Sequence, residues 1–342
     1  MPQGDGVLNP NIWRSQQQTF DWQGHRISYQ DQGDGPVLLL LHGLPGSNWV
    51  WHLLWPMLCG QFRLIAPDFL GCGDSDKPVP YDYRLADQAA MLDALLRHLG
   101  VETYQIIGHD YGAAVAWQLT CRQAPAHTEA EEPATEPVIG NTLPEQPDDA
   151  QQPTDSTPSD TAENKQTDGP QALSMSWLSP RISGDHSGFI WRERWLSGPS
   201  GQVIFRRLVS EGLYGRYLER LTGPFSPLTR QRLRDSWELL CAHQGLNALP
   251  LLLNYRYEMP QRREWPRMTI PLPLQIVYGQ YDPVCRRLPV IPQVNYQSLP
   301  CGHYPQEEAP EALVATLLAF HSSEQKYRNG VFSNLKAADQ PG

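Results

Sequence analysis

Residues 105–117, QIIGHDYGAAVAW, constrain this chain more than any other stretch. An apolar run from Tyr104 to Ile107 meets Gly108. After His109, Asp110 and Tyr111, a second glycine, Gly112, opens a run of small residues. A buried strand must therefore reverse into a helix within a few residues, and the two glycines remove side chains that would collide in such a turn. Asp110 is then lifted above the strand end, at the start of the next helix, where the helix dipole favours an anion and keeps the carboxylate ionised. A carboxylate in that place is either a plain helix cap or a nucleophile that needs no base to deprotonate it.

The rest of the chain repeats the same alternation. PVLLLLHG (36–43) and FRLIAPD (62–68) read as buried strands, as do PLQIVYG (273–279), QVNYQSLP (293–300) and ALSMSWL (172–178). Between them, Leu85, Met91, Leu92, Leu95, Leu96 and Leu99 recur at three- and four-residue steps and predict a helix over 83–99. Helices are also expected over 112–121 and 309–321. This rhythm predicts an α/β architecture, a mostly parallel sheet with helices on both faces. Residues 185–265 break it, being helical in pattern and rich in Trp, Tyr, Arg and Leu. They fit a helical lid over the C-terminal edge of the sheet, where open α/β sheets bind ligands.

Residues 124–170 carry no aromatic side chain, recurrent prolines, and eleven acidic residues against one lysine. Such a segment cannot bury enough apolar area to offset its ordering entropy, and it is expected to be a solvated insert. The whole chain has a net charge of −10, which this insert accounts for alone. The organised remainder is neutral, which argues against a nucleic-acid partner. The expected organisation is a first core part over 20–123, an acidic insert over 124–171 and a core strand with its link over 172–184. The lid over 185–265, a second core part over 266–322 and a loose tail over 323–342 complete it.

Six cysteines without paired spacing predict neither a disulfide framework nor a zinc site. The polar N-terminal residues lack the apolar stretch of a secretory signal, and no run is long enough to span a bilayer. A cytoplasmic protein without metal or cofactor is the expectation.

Three further segments give the turn at Asp110 a chemical context. The pattern is that of G-x-S-x-G with aspartate in place of serine. HGLP, with His42, Gly43, Leu44 and Pro45, follows the first strong strand, in the loop that supplies one oxyanion-hole amide in such folds. Leu44 and Tyr111 would be the two backbone donors. YGQYDPV (278–284) ends a strand with Asp282 in a loop, and CGHYPQEEAPE (301–311) places His303 between the last strand and the last helix. Each alone is as well read as a turn or a structural histidine. The order nucleophile, acid, histidine is what joins them.

On these residues, with DFLGCGDSDKP (68–78), ALLRHLG (94–100), DSWELL (235–240) and LLNYRYEMPQRREW (252–265), the chain resembles an α/β-hydrolase of the epoxide hydrolase and haloalkane dehalogenase branch. Within that branch it is most like the mesoderm-specific-transcript type of hydrolase. The resemblance covers roughly 20–322 apart from the insert. It implies that Asp110 forms an alkyl ester with substrate carbon, and that His303, oriented by Asp282, activates the water that attacks this ester. It further implies an acid from the lid for an epoxide oxygen. Tyr255 matches the position of one lid tyrosine, and Tyr214 or Tyr217 is the candidate for a second; packing roles remain open for all three.

Dehalogenases of the branch generally carry Trp after the nucleophile, often with Asn after the HG pair. Here those positions are Tyr111 and Leu44, which favours epoxide hydrolysis over halide release. Hydrolysis of a lactone or activated ester, and a non-catalytic binding protein on the same fold, are the other readings. Trp191, Trp195, Phe205 and Leu213 suggest an apolar substrate, or equally lid core. Water and a small apolar molecule are the expected partners; protein partners are undetermined.

Overall fold

The computed structural model describes residues 9–123, 169–181, 198–226, 229–260, 264–265, 270, 272–286 and 288–322. The expected insert, the tail, and Trp191 and Trp195 of the lid lie outside the described residues. Eight strands form one sheet: β1 (Gln18–Trp22), β2 (His25–Gln32), β3 (Val37–Leu41), β4 (Arg63–Pro67), β5 (Thr103–His109), β6 (Gln171–Leu178), β7 (Leu274–Gly279) and β8 (Asn295–Leu299). Their order is β1-β2-β4-β3-β5-β6-β7-β8. From β4 to β8 all pairs are parallel; β2 runs antiparallel to both β1 and β4.

The nine helices named here are α1 (Pro10–Ser15), α2 (Trp55–Leu58), α3 (Leu85–His98), α4 (Tyr111–Gln123), α5 (Pro199–Leu208), α6 (Glu211–Leu221), α7 (Arg230–Cys241), α8 (Gly245–Leu252) and α9 (Pro305–Glu308). Residues 310–322 are helical as well. The period-2 geometry of β3 sends Leu39 and Leu41 to one face of the sheet and Leu38 and Leu40 to the other. The first face is covered by α3 and α4 through Leu85, Ala89, Leu92, Leu96, Val115 and Leu119. The second is covered by Leu313, Val314 and Leu317 of the last helix, with Trp49, Trp51 and Trp55. Leu39 and Leu40 are both fully buried, each contributing about 1.5–3 kcal/mol of apolar burial.

The hairpin β1–β2 was not among the expected strands. Trp22 pairs with His25 across a two-residue turn, and Gln23 and Gly24 take φ of 53° and 80°, the left-handed pair such a turn requires. β6 begins at Gln171, one residue before the strand read from ALSMSWL. Helices α5 to α8 occupy the stretch expected to be the lid. Ser210 and Thr229 cap α6 and α7 by accepting from the Leu213 and Arg232 amides. Leu218 and Leu221 of α6 pack with Leu233, Trp237 and Leu240 of α7. Among the described residues no helix is long and apolar enough to cross a membrane.

Candidate active site

The turn after β5 is as sharp as its glycines require. Asp110 takes a φ of +48°, a strained conformation for a residue with a Cβ, and α4 starts at the next residue. A Cβ on Gly112 would lie 2.2 Å from the Leu41 carbonyl oxygen, and one on Gly108 would lie 2.6 Å from the Gly112 oxygen. The Asp110 amide donates to the Leu178 carbonyl of β6 at 3.0 Å, which ties the turn to the neighbouring strand.

The loop after β3 closes over this turn. The Leu44 amide donates to Oδ2 of Asp110 at 3.2 Å. Gly43 makes that approach possible, since a Cβ there would meet His109 Nδ1 at 2.6 Å and Asp110 Cβ at 2.9 Å. His42 braces the loop from below. Its Nε2 accepts from the Phe69 amide at 3.2 Å, which leaves Nδ1–H to donate to the Gly43 carbonyl at 2.9 Å. Burial pushes the His42 imidazole down to about 4, so it stays neutral. Tyr111 follows the elbow as the first residue of α4, its ring edge-to-face on Tyr255 with centroids 4.8 Å apart.

Asp282, just past β7, and His303, just past β8, meet at 2.8 Å through Nδ1–H of the histidine and Oδ2 of the carboxylate. The other ring nitrogen, Nε2, stands 3.8 Å from Oδ1 of Asp110. All three side chains are buried. Burial alone would raise the Asp282 carboxyl, but His303 and the Val284 amide hold it below the usual range. Asp110 likewise resists burial and is held down to about 2, by Arg181 first and then by His303 and His109.

Three supports of this arrangement carried no sequence signal of their own. His109 donates from Nε2 to the His303 carbonyl at 2.9 Å. Glu308 accepts from the Gly302 amide at 2.8 Å, the Tyr304 amide at 3.1 Å and the Gly223 amide at 2.7 Å, so one carboxylate fastens the histidine loop to the turn after α6. Arg181, three residues beyond β6, donates from Nε to Oδ1 of Asp110 at 3.2 Å. It could have been anticipated from topology, because β6 pairs with β5 and Leu178 sits opposite His109. A residue just past β6 therefore lies beside the residue just past β5.

The three lid tyrosines separate. Tyr255 is buried and interacts electrostatically with Asp110, Arg181 and Arg256. Tyr217 has 36% of its surface exposed and lies within the electrostatic reach of Asp110 and Arg181. Burial, more than any other influence, raises both phenols. Tyr214 is not brought to Asp110. It packs on Trp237, its hydroxyl faces Ser236, and it lines a cavity with Pro45, Leu218 and Tyr304. Tyr214 and Tyr217 lie three residues apart on α6, and only the second comes within the electrostatic reach of Asp110. Of the expected apolar lining, Phe205 is partly buried and packs against the core, and Leu213 is 51% exposed, so Leu213 does not line the site. Among the described residues no group of three or more His, Cys, Asp or Glu could hold a metal ion.

Comparison with known proteins agrees with this architecture. Residues 36–130 match the alpha/beta hydrolase fold family. The chain is 30% identical over 302 residues to the hydrolase LipZ of Mycobacterium tuberculosis, covering 84% of this chain and 88% of that one. It is 27% identical over 338 residues to the mesoderm-specific transcript protein of Mus musculus, covering 92% and 89% of the two chains. Among solved structures it is similar to the epoxide hydrolase CorEH, at 19% identity and a TM-score of 0.64, over 90% of this chain and 98% of that one. The chain belongs to the α/β-hydrolase fold family.

Proposed function

We propose that this protein is a hydrolase that works through an aspartate nucleophile, and that it opens epoxides to diols. Asp110 attacks an oxirane carbon and is esterified; a lid phenol protonates the ring oxygen; His303 Nε2 takes a proton from water, which attacks the ester carbonyl carbon; Asp282 holds the histidine in the tautomer that can accept it. The Leu44 amide, already on Oδ2 of Asp110, would hold the oxyanion of the second step, with the Tyr111 amide beside it.

The observation that carries the epoxide reading is the buried phenol of Tyr255, whose ring stands 4.8 Å from that of Tyr111, the residue after the nucleophile, within the electrostatic reach of Asp110 and Arg181. A phenol can donate a proton to a developing alkoxide. A departing halide needs no proton, and the residue after the nucleophile here is Tyr111, whose side chain packs under Tyr255 instead of offering an indole N–H.

The test is intact-mass spectrometry of His303→Gln incubated with epoxides and haloalkanes of matched skeleton. The expected result is a mass gain equal to a whole epoxide, mapped to Asp110. A gain equal to an alkyl group without halogen would make the protein a dehalogenase. No adduct with any member, from folded protein, would sink the aspartate-ester reading.

A further inference from the structure

The proposed reaction leaves one charged side chain at its centre without a role, and that side chain is held in place. The Ser179 amide donates to the Val277 carbonyl of β7 at 2.8 Å, and the Pro180 carbonyl accepts from Cys285 Sγ at 3.6 Å. The backbone leading to Arg181 is thereby tied to β7 and to the loop that carries Asp282. From there Arg181 Nε donates to Oδ1 of Asp110 at 3.2 Å. The Leu44 amide engages Oδ2, so Oδ1 is the oxygen left to attack. A charge-assisted bond to the attacking oxygen makes the carboxylate a weaker nucleophile.

An uncharged substrate meets this contact at a disadvantage twice. It must alkylate an oxygen that Arg181 holds, and the ester it forms is neutral, so the cation loses its partner. The side chains of Arg181 and Asp110 are only 20% and 3% exposed, so solvent offsets part of that loss and no more. Among the described residues no second carboxylate pairs with Arg181 to take over. A carboxylate carried by the substrate removes both disadvantages. The forked end of a guanidinium matches a carboxylate with two parallel bonds, and sharing the cation loosens its hold on Oδ1. When Asp110 becomes an ester, one carboxylate and one guanidinium remain, in balance. A phosphate dianion fits less well, since one cation cannot offset it beside an ionised Asp110.

We propose that Arg181 is the specificity-determining residue of this site, and that the substrate is an epoxide bearing a carboxylate. This rests on the epoxide reading above and names its substrate class. The reacting carbon stands about 3–3.5 Å from Oδ1, and the fork belongs to the guanidinium already bonded to that oxygen, so the carboxylate sits no more than a few bonds from the ring. The covalent steps balance. The Oδ1–carbon bond forms while the ring carbon–oxygen bond breaks with its electron pair on oxygen, which takes the proton of the lid phenol. Water hydrolyses the ester through His303, and the acid form of Asp110 so released returns a proton to the phenol. Two carboxylates then share one cation again, which favours release of the product. The expected apolar molecule is replaced by one with a charged end.

The test is the rate of Asp110 ester formation in the His303→Gln background, by rapid quench and intact mass. The probes are oxirane-2-carboxylate and its homologue with one methylene between ring and carboxylate, each against the amide of the same skeleton. Acid and amide differ in intrinsic reactivity, so the readout is how their ratio changes with residue 181. Arg181→Gln is expected to lower the acid-to-amide ratio at least about thirtyfold for one of the two skeletons, by slowing the acid and not the amide. Arg181→Lys, which keeps the charge and loses the fork, should fall between. An unchanged ratio would overturn the inference, as would equal slowing of acid and amide, which is what a structural role alone predicts. If Arg181→Gln does not fold, competition with Arg181 intact decides. Propanoate should protect Asp110 from alkylation by the amide epoxide and propanamide should not; equal protection by both, or by neither, would overturn the inference. Failure of the epoxide reading is a different result, the absence of an adduct from every acid and amide epoxide with Arg181 intact, and it takes this inference down with it.

Discussion

His303 Nδ1 and Asp282 Oδ2 are 2.8 Å apart, and that bond separates the two halves of the proposed reaction. It fixes which nitrogen of the ring faces Asp110, so it matters to the water step and not to the alkylation. Asp282→Asn is expected to slow ester hydrolysis by about 10⁴-fold, by analogy with the loss of the orienting carboxylate in a serine triad. Ester formation should change by no more than a few fold. The measurement is the time course of esterified protein after one equivalent of epoxide: rapid accumulation and slow decay are expected, and fast decay would show that His303 does not depend on Asp282.

Gly112→Ala tests the turn itself. Its Cβ would stand 2.2 Å from the Leu41 carbonyl oxygen and 2.8 Å from that of His42, and both obstacles are backbone in the centre of the sheet. They cannot swing aside as a side chain could. The change should cost about 3 kcal/mol, the upper end of ordinary overpacking, and lower the melting temperature by roughly 5–10 °C. Gly24→Ala is a control of another kind, with open space around the Cβ but a φ of +80°. It should cost about 1 kcal/mol, from backbone strain alone. Equal losses would mean that crowding at Gly112 is not the constraint.

The difference between these two glycines tracks what the sequence made legible. Gly108 and Gly112 bracket a reactive residue in a fixed spacing, and the order Asp110, Asp282, His303 follows from chain direction, so the elbow and the three side chains that meet at it could be read in advance. The hairpin around Gln23 and Gly24 was hidden by weak alternation; the two-residue turn was its only signal. Arg181 was hidden because nothing local marks it: its meaning arises only when β6 is laid beside β5. Tyr214 and Tyr217 differ by three positions on α6, nearly one helical turn, and only the docking of that helix onto the core decides that the first is buried against Trp237 while the second comes within the electrostatic reach of Asp110.

Four buried histidines predict how stability depends on pH. Burial pushes His42, His52 and His109 down to about 4 and His321 to about 3. His321 is held neutral between the Ser174 and Ser176 hydroxyls at 2.9 and 2.8 Å. A histidine whose pKa is lower in the folded protein than in the unfolded chain contributes stability that is complete above the unfolded value, near 6.5. That stability is lost as the pH falls toward the folded value. Asp68 opposes this, since burial raises it to about 6 and the folded state then gains by protonation between about 6 and 3.8. Burial raises the Glu258 carboxyl as well, in the same sense as Asp68. Four groups outweigh these two, each worth about 1.4 kcal/mol per pH unit at most. Unfolding in urea should therefore show stability falling steadily from pH 6.5 to 4.5; a flat profile would mean that these rings are not neutral in the folded state or that the unfolded chain shields them equally.

Tyr255, which matches the position of a lid tyrosine of the family, and Tyr214, a candidate for the second, can be told apart by their hydroxyls. Tyr255 lies within the electrostatic reach of Asp110, while Tyr214 packs against Trp237 with its hydroxyl toward Ser236. Removing one hydroxyl from each changes almost no volume, so packing is preserved and the readout is chemical. Tyr214→Phe should leave epoxide ester formation within about twofold of the parent. Tyr255→Phe should lower it, by a factor at the bottom of the general-acid range, about 10². Loss of activity in Tyr214→Phe with an unchanged melting temperature would place the reacting oxygen in the cavity between Pro45 and Tyr304, and the assignment of the lid acid would have to move with it.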